Sequence, residues 1–96
     1  MKVWKPRGDA EVSRIKVEIL GEGQHPSERI IAVVTADGGR ETVYVDKDSI
    51  DSSTIEIGHP VGSTQGRLLI ELPRETTSGR WRVWVNKSDV LEGVPA

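Results

Sequence analysis

Among side chains able to move a proton or hold a metal, this sequence offers two histidines, and both precede proline, at His25-Pro26 and His59-Pro60. Imidazole titrates near neutrality, so such a pair suits proton transfer or metal ligation. A tetrahedral metal site takes three or four ligands. With 2 His and 0 Cys, only carboxylates remain to complete one. Asp46-Lys47-Asp48-Ser49-Ile50-Asp51 spaces its acids as a calcium loop does. It lacks the mid-loop glycine and the closing Glu of an EF-hand, and side-chain capping of a turn accounts for it. Gly62-Ser63-Thr64-Gln65-Gly66 lacks the Lys-Ser/Thr pair that follows a phosphate loop. Asn86-Lys87-Ser88 is formally a glycosylation sequon, which matters only in a secreted chain. No serine has an evident His and Asp partner. The residues therefore predict no enzyme, no cofactor and no metal.

Aromatic side chains remain, and there are few: 3 Trp, 1 Tyr and no Phe. Val43 and Val45 alternate around Tyr44, and Val83 and Val85 around Trp84. If the valines face a core, both aromatics face away from it. An outward aromatic beside a basic group is a platform for stacking or for a peptide side chain. Arg80, Arg82 and Lys87 flank Trp84, and Trp4 lies in the basic run Lys2 to Arg7. Tyr44, Trp84, Arg82, Arg80, Lys87 and Trp4 are thus the expected binding residues. Trp81 shares the alternation of Val83 and Val85 and is expected in the core.

The elements that must present these residues read almost entirely as strands. Ile15, Val17 and Ile19 alternate with polar residues, and Arg29 to Thr35 is a β-branched apolar run too short for a good helix. Ala36-Asp37-Gly38-Gly39 supplies a hairpin turn, with Thr42 to Val45 as the return strand. Lys47 to Ile50 reads as a single 3₁₀ turn. Strand signals resume at Thr54 to Ile57, Arg67 to Leu72 and Arg80 to Val85. The predicted class is all-β.

Gly39 to Ile50 also lies over Gly79 to Val90 at an offset of forty, with five of twelve positions identical. Upstream, Val17-Glu18-Ile19 matches Ile55-Glu56-Ile57, and Arg29-Ile30-Ile31 matches Arg67-Leu68-Leu69, at an offset of thirty-eight. Such self-similarity predicts one three-stranded unit used twice, over 15–50 and 54–90. The two would close into a six-stranded barrel that hides their edges. Its inward residues would be Ile15, Val17, Ile19, Ile30, Ala32, Val34, Val43 and Val45, then Ile55, Ile57, Leu68, Ile70, Leu72, Val83 and Val85. Ile50 and Val90 would plug its ends. Both histidines would lie in the connection after the first strand of each unit. Trp81 to Val90 resembles the closing strand and turn of SH3-like small barrels. A basic arm (1–13) and a frayed tail (92–96) would flank the domain at 14–91.

Ninety-six residues suit one domain. No apolar stretch approaches the ~18 residues of a membrane-spanning helix, and no apolar leader precedes the strands, so a cytoplasmic protein is expected. A net charge of −2 gives no overall attraction for nucleic acid. Locally, residues 21–60 carry three basic and eight acidic groups, against five and four in 61–96. Two functions are expected. One is a non-catalytic barrel that binds a peptide or single-stranded nucleic acid through its outward aromatics. The other is an assembly domain that uses the same face to dimerise or to dock on a larger protein.

Overall fold

Val, Ile and Thr lose little by extending and pack well on a pleated surface, and among the described residues they make ten strands. A computed structural model describes residues 11–95, with no α-helix among them. The strands are β1 (Glu11–Lys16), β2 (Glu18–Glu22), β3 (Glu28–Val34), β4 (Arg40–Asp46) and β5 (Ile50–Asp51), then β6 (Thr54–Ile57), β7 (Gly62–Thr64), β8 (Arg67–Glu71), β9 (Arg82–Asn86) and β10 (Val90–Pro95). Short 3₁₀ turns at Lys47–Ser49 and Lys87–Asp89 join β4 to β5 and β9 to β10. Residues 11–13 of the expected arm belong to β1, and 92–95 of the expected tail belong to β10. Residues 1–10 of that arm, Trp4 included, lie outside the described residues, as does Ala96.

Three antiparallel sheets result: β2-β3-β4, β7-β8-β9, and a four-stranded sheet of order β10-β1-β6-β5. Among the described residues no ladder joins them into a closed ring, so the expected six-stranded barrel is not seen. The cause is local. Val17 interrupts what looked like one long strand, and its N–H donates to the Ser53 carbonyl at 2.9 Å. The chain on either side then serves different sheets. The element order is the same in both halves, and the last strand of each half pairs with the first strand of the other. Val90 stands opposite Ile15, Ile50 opposite Ile55, and Ile15 and Ile55 face each other.

These registers correct the upstream alignment. They make Ile15 the counterpart of Ile55 and Val17 that of Ile57, an offset of forty. Ile31 opposite Val43 corresponds to Ile70 opposite Val83, an offset of thirty-nine for the isoleucines and forty for the valines. The offset of thirty-eight came from matching residue types, which carry no information on facing. A slip of one residue turns a whole strand over. Accordingly Ile31 and Val33 are fully buried, whereas Ile30 and Val34 are only partly so. Ile19 lies beside a register shift on the edge strand β2 and is half exposed. The rest of the expected core is buried: Ile15, Val17, Ala32, Val43, Val45, Ile55, Ile57, Leu68, Ile70, Leu72, Val83, Val85 and Val90, with Ile50 packed against it.

Two tight turns hold the strands in register. Ser52 and Ser53 have φ of 51° and 58° between paired Asp51 and Thr54, as a type I′ hairpin needs. Gln65 and Gly66, at 41° and 81°, do the same between Thr64 and Arg67. Asp46 does not cap its 3₁₀ turn; the Ser49 hydroxyl donates to the Asp46 carbonyl at 2.6 Å instead. The histidines are not equivalent, since His25 follows β2 and His59 follows β6. No helix among the described residues is long and apolar enough to cross a membrane.

Candidate functional site

With Val83 and Val85 buried, Trp84 stands on the outer face of β9. Its cross-strand neighbour is Leu69 on β8, and Leu69 in turn faces Gly62 on β7. The indole lies along this row, because a Cβ at Gly62 would meet Trp84 Cη2 at 3.6 Å and Leu69 Cβ at 3.4 Å. Glycine therefore leaves room for the ring to lie over the sheet, while 39% of the residue stays exposed. The other three-stranded sheet has the same row, Gly21, Ile30 and Tyr44. There Tyr44 is half-buried, and nothing stands within 4 Å of a Cβ at Gly21. The aromatics are legible from the alternation of Val43 and Val45 and of Val83 and Val85. Their glycine and aliphatic neighbours are not, because the sequence assigns Ile30 to the core.

Beside Trp84 is a cavity of about 250 Å³, walled on one side by Arg67, Arg80, Val83 and Trp84. The tip of the β3–β4 hairpin forms the other side, and its Ala36 N–H donates to the Trp84 carbonyl at 2.8 Å. Reciprocally, the Thr77 N–H donates to the Thr42 carbonyl at 2.8 Å. Each hairpin tip thus covers the outer edge of the other half's last sheet strand. Such edges would otherwise invite pairing.

Among the described residues, four of the seven arginines have carboxylate partners. Arg80 lies 3.6 Å from Glu41, which also accepts the Ser78 hydroxyl at 2.6 Å. Arg82 pairs with its cross-strand neighbour Glu71 at 2.9 Å. Arg40 pairs with Glu18 at 2.7 Å, which holds the Glu18 carboxyl below its usual range and raises the Arg40 guanidinium. Arg67 has no carboxylate partner within salt-bridge distance among the described residues.

Of the expected binding residues, Trp84 and Arg80 line one cavity. Lys87 is exposed and, with Arg67 and His59, lines a neighbouring polar hollow along β7 and the β7–β8 turn. Arg82 is exposed in the row next to Trp84, and Tyr44 belongs to the other sheet. Trp81 is 55% exposed, which overturns its assignment to the core. Strand β9 begins only at Arg82, so the alternation that buries Val83 and Val85 does not reach it. Arg67 and Leu69 were missed as members of the site, since each reads as an ordinary strand residue until β8 is set beside β9. His25 and His59 are exposed, and among the described residues no group of three or more His, Cys, Asp or Glu could hold a metal. Comparison with protein-family models, with curated proteins and with solved structures found no match.

Proposed function

We propose that this is a cytoplasmic, non-catalytic binding domain that takes an acidic, apolar peptide segment of another protein on the outer face of β7-β8-β9. One observation carries the proposal. Trp84 lies opposite Leu69 with its ring near Gly62, yet keeps 39% of its surface open in a cavity shared with Arg67. A partly exposed tryptophan is a frequent anchor of a protein contact, because burying it removes a large apolar area from water. Arg67 and Lys87 supply charge for an acidic partner. Single-stranded nucleic acid is disfavoured because Arg40, Arg80 and Arg82 are already neutralised by Glu18, Glu41 and Glu71. A polyanion would have to displace those carboxylates.

The repeated element order supports one unit used twice, and a strand, 3₁₀ turn and strand ending each half support the SH3-like comparison. Selection of random peptides on the intact protein, with Trp84→Ala as the counter-target, tests the function. Sequences rich in Asp or Glu with a large apolar residue should be enriched, quench tryptophan fluorescence and lose binding to Trp84→Ala. Equal enrichment on both proteins would overturn the proposal. Tight, steeply salt-dependent binding of oligothymidylate would replace the peptide by nucleic acid. A dimer in sedimentation that Trp84→Ala converts to monomer would replace it by self-assembly.

A further inference from the structure

A second cleft, of about 550 Å³, lies where the end of β4 and β6 meet the end of β8. Its floor is core: Val45, Ile55, Ile57 and Leu72 are each at most 5% exposed and all line it. Asp46, Glu56, Glu71 and Arg74 stand around its walls. Two of these charges are engaged elsewhere. Arg74 lies 3.7 Å from Glu28 and donates to the Tyr44 carbonyl at 3.3 Å, and Glu71 pairs with Arg82. Asp46 and Glu56 have no cation partner within salt-bridge distance among the described residues. Arg14, the cross-strand neighbour of Glu56, spends its guanidinium on Thr54 and the Ser49 carbonyl. Asp46 makes no capping bond to the turn that follows it, so its carboxylate has no structural duty there.

We propose that this cleft binds a small organic cation with an apolar body, an amphiphilic amine. The apolar floor would take up the hydrocarbon, and Asp46 and Glu56 would neutralise the ammonium at the mouth. The volume lies within the range of small-molecule pockets and is much more than one inserted side chain fills. The charge selects the sign of the ligand, since an anion of the same shape would meet two uncompensated carboxylates.

The probes are hexylammonium, hexanol and hexanoate, added to the intact protein and followed by methyl NMR. Hexylammonium should shift the methyls of Val45, Ile55, Ile57 and Leu72 saturably and bind at least tenfold more tightly than hexanoate. Asp46→Asn with Glu56→Gln should remove most of that preference while hexanol binding stays the same. Gly58 lines the cleft with nothing within 4 Å of a Cβ. Gly58→Phe should therefore close the mouth and abolish binding without loss of fold, and Gly58→Ala should retain it. A peptide carrying Leu-Lys that binds more tightly than hexylammonium would overturn the assignment to a free amine. Equal binding of hexanoate, or no saturable methyl shift, would overturn the site itself.

Discussion

Asp37 illustrates how one side chain sets a larger surface. Its Oδ1 accepts the Gly39 N–H at 3.0 Å and the Thr35 hydroxyl, and these bonds hold its carboxyl below the usual aspartate range. The ionised form is favoured by folding, so the contribution is complete above the ordinary aspartate value. It disappears as pH falls through the lowered native value. Asp37→Asn should flatten this acid limb of the stability curve, read as unfolding midpoints in urea between pH 5 and pH 2, roughly the range over which a depressed Asp titrates. The Ala36 N–H exchange rate should rise with it, because the same tip donates to the Trp84 carbonyl. The isoleucines of β3 give a sharper test of facing. Ile31→Ala should cost about 2–5 kcal/mol in denaturant unfolding, as for a fully buried site. Ile30→Ala, in the partly exposed row with Tyr44, should cost roughly 1 kcal/mol, since less apolar area is involved. Equal costs would mean that β3 faces the other way.

At the scale of elements, the β5–β6 hairpin is the weakest piece of local chemistry. Ser52 and Ser53 both occupy positive φ, where a side chain is disfavoured and Asn-Gly is preferred. Replacing the pair by Asn-Gly should raise the unfolding free energy by about 0.5–1 kcal/mol, in proportion to the relieved backbone cost. A drop would show that the serines serve some other contact. The β7–β8 turn already carries Gly66 at its second central position, so substituting Ala there should destabilise instead. On β4 and β9, Val43→Ala and Val83→Ala should each cost about 1–3 kcal/mol, because the two buried valines hold corresponding places in the core. Loss of stability from only one of them would break that correspondence.

For the whole molecule, the four-stranded sheet makes each half depend on the other. β1 pairs only with β6 and β10, both from the second half, and β5 pairs with β6. A fragment of residues 1–52 keeps β2-β3-β4 but loses every partner of β1. It should show no cooperative unfolding by circular dichroism as a monomer, and should regain one on mixing with 53–96. Independent folding of either fragment would mean that the three-stranded sheets carry the stability and the shared sheet is an accessory.

The sequence alone determined the all-β class, the hairpin at Asp37-Gly38, the 3₁₀ turn at Lys47–Ser49, and the outward placement of Trp84 between Val83 and Val85. Each is a local matter of alternation or of turn residues, and local rules suffice for it. The facing of β3 was beyond those rules, since Ile30 to Val34 is apolar throughout and has no alternation to read. Pairing with Val43 decided it. Arg67 and Leu69 became part of the Trp84 surface only when β8 was laid beside β9. The cleft over Ile55 and Leu72 exists because the end of β4, from the first half of the chain, meets β6 and the end of β8, from the second. Tertiary structure settled these points because which residues stand opposite across two strands is set by hydrogen-bond register, which the pattern within one strand does not contain.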